Sequence, residues 1–136
     1  MKLRTISTFT TTIPDDTQWG ADDEISVPGG NAIACIVRDY LGTVGVQCSN
    51  PKLRDSYGWE LLAEADAHRF LIVVQMVDEW VLQCEPLSTT PVEATATMLR
   101  SIGKWLYIDK RFNNVRWFQS GDFENGDLSK ASDQPC

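Results

Sequence analysis

The sequence predicts an α+β domain: a mostly antiparallel sheet of about five to six strands with two helices packed on one face. Three observations predict it. Residues 57–86 hold three consecutive apolar or alternating runs parted by two short polar turns, the centre of an antiparallel sheet. Two other segments, starting near Asn31 and Thr90, carry apolar residues at helical spacing. The chain has 136 residues, 43% hydrophobic and 23% charged, which fits one ordinary globular domain.

The elements follow in order. Residues 3–13 are rich in Thr, Ile and Phe, which favours a strand. Residues 14–20 read as loop, and an acidic segment follows. Pro28-Gly29-Gly30 punctuates the chain, and a helix starts near Asn31. Ile33, Ile36, Val37, Tyr40 and Leu41 give it a buried face, with Gly42 as its stop. Residues 44–48 form a short strand ended by Ser49-Asn50-Pro51. Trp59, Leu61, Ala63 and Ala65 then alternate with Glu60, Leu62, Glu64 and Asp66, so one face is core and the other half wet. Asp66-Ala67-His68 is a turn. Residues 70–77 are nearly all apolar, as a central strand covered on both faces would be. Asp78-Glu79 turns the chain again, and Trp80, Leu82 and Cys84 alternate with Val81, Gln83 and Glu85.

The second helix has clear local signals. Thr90 suits the N-cap, Pro91 the first helical position, and Glu93 completes a capping box. Val92, Ala96, Leu99, Ile102 and Leu106 make its apolar stripe, to about Asp109. Gly103 costs this helix up to about 1 kcal/mol, which points to close packing there. Residues 115–118 are a last short strand. Residues 1–120 thus form a single α+β domain in the order βαββββαβ, and the polar residues 121–136 are expected to be a disordered acidic tail.

The formal net charge is −7 and unevenly placed. Asp15, Asp16, Asp22, Asp23 and Glu24 crowd one loop; Asp78 and Glu79 occupy a hairpin turn. Such a surface repels phosphate backbones, so nucleic acid is not an expected partner. It suits a basic protein, whose approach it steers. No apolar run reaches the roughly 20 residues of a membrane span, and the N-terminus lacks the apolar centre of a secretory signal. A cytoplasmic protein with no membrane partner is expected.

Chemistry is sparse. Cys35, Cys48, Cys84 and Cys136 show no metal-ligand spacing, and free thiols are the expectation. His68, the one histidine, falls in a predicted exposed turn, away from any nucleophile. Glu60, Glu64 and Glu85 decorate a solvated sheet face. Asp22-Asp23-Glu24 lacks the alternating oxygen ligands of a calcium loop. No catalytic residue, metal or cofactor is expected, and the chain is not read as an enzyme. Four tryptophans fall in strands or the long helix, where core packing accounts for them. Trp19 differs: it lies in a loop between acids, either pinning that loop or serving as a binding anchor with a charged rim.

Pro28-Gly29-Gly30 opening a helix, Tyr57-Gly58-Trp59-Glu60 opening a strand, Trp80 in a later strand ended by Glu85-Pro86, and Val115-Arg116-Trp117 after the long helix span most of the chain to Phe118. In that order they resemble small bacterial immunity-type proteins, many of them uncharacterised, which neutralise a toxin delivered between competing bacteria. The resemblance implies a toxin inhibitor acting by protein binding, without catalytic residues. The expected partner is a basic toxin or secreted effector. The expected protein-binding residues are Asp15, Asp16, Trp19, Asp22, Asp23 and Glu24, with Asp78 and Glu79 as a second edge. The alternative is a secretion chaperone or adaptor holding an effector on the sheet face bearing Leu62, Leu71 and Val73. A chaperone would be a homodimer; an inhibitor could be a monomer.

Overall fold

A computed structural model describes residues 2–55 and 57–136. These residues form a mostly antiparallel sheet with three α-helices, an α+β fold. Its strands are β1 (Ile6–Thr11), β4 (Gln47–Cys48), β5 (Lys52–Arg54), β6 (Gly58–Ala65), β7 (His68–Val77), β8 (Glu79–Pro86) and β9 (Phe112–Phe118). Their order is β4-β6-β7-β8-β1-β9, with β5 also paired to β6. Two short strands, β2 (Gln18–Trp19) and β3 (Ile25–Val27), pair separately.

The central strands follow the sequence pattern. Leu61 pairs with Ile72, which pairs with Cys84, and all three point to one face. Two helices cover that face: α1 (Asn31–Thr43) through Ile33, Val37 and Leu41, and α2 (Val92–Ile108) through Leu99, Ile102 and Leu106. Each of these side chains is at most 1% exposed. Burying a side chain of that size contributes roughly 1.5–3 kcal/mol, so this layer is the main source of stability. On the opposite face Ile6, Val73, Val81 and Phe118 are buried. At the end of β7, Met76 on the helix side of the sheet and Val77 on the other both stay exposed. A third helix, α3 (Ser120–Glu124), sets Phe123 against Phe118, ring centroids 5.8 Å apart.

Several element boundaries differ from expectation. α1 does not stop at Gly42. It runs to Thr43, and Gly45, at φ 85°, takes the left-handed conformation that lets Val46 N–H return to the Leu41 carbonyl at 2.9 Å. Thr90 does not cap α2. Its hydroxyl donates to the Leu87 carbonyl at 2.6 Å, fixing the turn after β8, and Pro91 precedes the first helical residue, Val92. Val92 is itself exposed, so the buried stripe begins at Thr95 and Ala96. The turn after β6 is Asp66-Ala67 alone, both at positive φ (49° and 65°), which leaves His68 as the first residue of β7 and half-buried.

Residues 121–136 are not an unstructured tail. After α3 and a helical turn at Leu128–Lys130, Ser132 forms an antiparallel bridge to Trp117, with hydrogen bonds of 2.7 and 2.9 Å. Arg4 N–H donates to the Pro135 carbonyl at 2.6 Å. A Cβ on Gly103 of α2 would stand 3.2 Å from Pro135 and 3.5 Å from Trp117, so the bare backbone at this position makes room for the strap. Polar composition suggested disorder, but backbone pairing at a sheet edge needs no apolar side chains.

Candidate protein-binding surface

The surface is built from the end of the sheet where β1 and β7 finish and β6 and β8 begin. After β1, the Asp15 carboxylate accepts the Thr17 N–H at 2.9 Å and the Thr17 hydroxyl at 2.6 Å, turning the chain outward. The Asp16 carboxylate accepts the N–H groups of Gly30 and Ala32 at 2.8 and 2.9 Å. Those donors open α1, where four N–H groups otherwise lack helical partners. Gly30 itself sits at φ 117°, and a Cβ there would crowd the Val74 carbonyl oxygen at 3.2 Å. Asp15 and Asp16 therefore build the base of this surface, and their carboxylates are already engaged.

From that base a two-stranded arm projects. β2 and β3 pair Gln18 with Val27 and Trp19 with Ile25. The tip is the turn Ala21–Asp23, closed by Gly20 N–H donating to the Glu24 carbonyl at 2.7 Å. Asp22 and Asp23 adopt left-handed backbone angles, which Asp tolerates better than most residues. Every residue from 18 to 26 is exposed. Trp19 is 64% exposed and its pair Ile25 55%. Trp19 thus does not fold back onto the sheet.

The arm is anchored at its base. Trp59 Nε1 donates to the Pro28 carbonyl at 2.9 Å. A Cβ on Gly29 would stand 2.6 Å from the Asp15 carboxylate and 3.1 Å from the Trp80 ring, so arm and β7–β8 turn share one foundation. Asp78 and Glu79 in that turn are exposed, at the same end of the sheet as the arm, and so are Met76 and Val77 before them. The turn into β6 adds exposed Asp55 and Tyr57. None of these carboxylates pairs with a lysine, arginine or histidine among the described residues.

Sequence reading missed Ile25, Asp55, Tyr57, Met76 and Val77 here. Ile25 follows an acidic run and shows its role only through its pairing with Trp19. Where β9 begins, the charge is internally settled: Arg111 donates to both Asp109 carboxylate oxygens, at 3.0 and 2.7 Å, holding Asp109 below its ordinary value. The face bearing Leu62, Leu71 and Val73 is less open than the chaperone alternative needs. Val73 is 5% exposed and Leu71 half-buried, and Glu60, Glu64, Glu85 and Arg69 share that face.

No group of three or more His, Cys, Asp and Glu side chains among the described residues could hold a metal. No described helix is long and apolar enough to cross a membrane. Comparison with protein-family models, curated proteins and solved structures finds no match.

Proposed function

We propose that this protein is a protein-binding module that docks its acidic end on a cationic protein, as an inhibitor of the immunity type acting in the cytoplasm on a basic toxin or effector. One observation carries the reading: exposed aromatic and aliphatic side chains stand among carboxylates that have no counter-charge among the described residues. That is the composition of a binding patch with an apolar anchor and a charged rim. Trp19, Ile25 and Tyr57 supply contact area. Asp22, Asp23, Glu24, Asp78 and Glu79 steer the partner and meet its cations. Asp15 and Asp16 hold the arm and α1 in place. The reading assigns no catalytic step to the chain and requires no cofactor.

The test is capture of the partner from the native cell, followed by measurement with both purified proteins. The expected result is a one-to-one complex with a basic enzyme whose activity is lost on binding. Trp19→Ala should speed dissociation, and Asp22→Asn with Asp23→Asn should slow association at low salt. A partner that binds both variants as tightly as the wild type would overturn the assignment.

A further inference from the structure

At the end of the sheet away from the arm, the two long helices part and leave a cleft of about 320 Å³. Val44 and Val46 after α1, Ala65 and Phe70 from the β6–β7 hairpin, and Ala94 and Met98 from α2 form its apolar walls. The volume lies at the lower end of the roughly 300–1,000 Å³ usual for ligand sites, so a ligand filling it is small. Two alanines on opposing elements keep it open, since a longer side chain at either place would occupy the space.

Its polar groups narrow the chemistry. Thr97 Oγ1 already donates to the Glu93 carbonyl at 2.9 Å, and Ser101 Oγ is paired with the Tyr40 hydroxyl at 2.9 Å. His68 lines the cleft half-buried, and its ring makes no hydrogen bond among the described residues. Among the described residues no lysine or arginine lines the space, and exposed Asp66 is the one carboxylate there. An anion entering would lose water without a counter-charge, and a cation would gain a partner still surrounded by water. We propose that this cleft binds a small uncharged molecule with an apolar, ring-sized body and one N–H or O–H edge turned to His68. A neutral imidazole offers one acceptor nitrogen for that edge. The site is independent of the acidic arm.

Indole is the probe: an uncharged ring with one N–H. Tryptamine and indole-3-acetate carry the same ring with a positive or a negative charge. Titration of the ¹⁵N-labelled full chain with indole should give saturable shifts confined to the cleft's residues, with both charged analogues weaker by about tenfold or more. Ala94→Leu should abolish the indole shifts in a chain that still folds. Ala65→Val supplies the same filling from the sheet side should Ala94→Leu not fold, and His68→Phe should weaken indole without closing the cleft. No saturable binding, equal binding by the charged analogues, or binding unchanged by filling would each overturn the proposal. Loss of partner binding in the arm variants would leave these results untouched.

Discussion

Asp16 caps α1 from 14 residues upstream of Gly30, the first of the two backbone donors that its carboxylate accepts. One carboxylate thus joins the base of the arm to the start of the helix. Asp16→Ala should cost about 0.5–2 kcal/mol, the usual loss of a helix cap. Chemical denaturation would measure it. A binding defect in this variant with unchanged stability would mean that Asp16 contacts the partner directly.

Trp19 should behave in the opposite way. Its ring is 64% exposed, so Trp19→Ala should change stability by no more than about 0.5 kcal/mol. Thermal unfolding checks this. A larger loss would show that the arm is packed on the body through this residue, and would return Trp19 to the role of a pin.

Gly103 and the C-terminal strap should be energetically coupled. An alanine at a helix-interior glycine normally stabilises by roughly 0.8–1 kcal/mol. Here the new Cβ meets Pro135 at 3.2 Å. Gly103→Ala should therefore gain that stability in a chain lacking residues 132–136 and lose it in the full chain. The cycle of the two changes should show a coupling of at least about 0.5 kcal/mol. Strict additivity would mean that the strap does not bear on α2.

Burial pushes the Cys84 thiol up to about 12, with the Glu85 carboxylate adding to the shift. Desolvation likewise raises Cys48 to about 11. For a raised value the linked stability is intact below the ordinary thiol value of 9.0 and is lost as pH rises towards about 12. Alkaline unfolding should thus begin above pH 9, and Cys84→Ala should flatten that slope. At pH 8, Cys84 should react with an aromatic disulfide reagent only as fast as the chain unfolds. Rapid labelling of the folded chain would place Cys84 at the surface.

The centre of the fold was legible because its signals are local. The alternation of Trp59, Leu61 and Ala63 is a property of neighbours, and so is the helical spacing from Ala96 to Leu106. The arm was read as loop because β2 and β3 span two and three residues, too short to show a period. The cap on α1 was hidden by its separation in sequence, and the strap by its dependence on partners distant in the chain. The acidic residues were legible as a group, but not the division between those that build and those that are free. The cleft had no signal at all, since its lining comes from three stretches far apart in the chain, residues 44–46, 65–70 and 94–101, each of ordinary side chains.

The hydrogen bond from Arg4 to the Pro135 carbonyl brings the chain's first and last segments side by side, at the end of the sheet opposite the arm. Both leads enter the fold through one port. The domain can therefore be tethered, fused or spliced into a host loop from that side while the acidic end points away unobstructed. Joining the two ends and reopening the chain elsewhere should preserve the sheet, because no strand pairing depends on the chain being broken there.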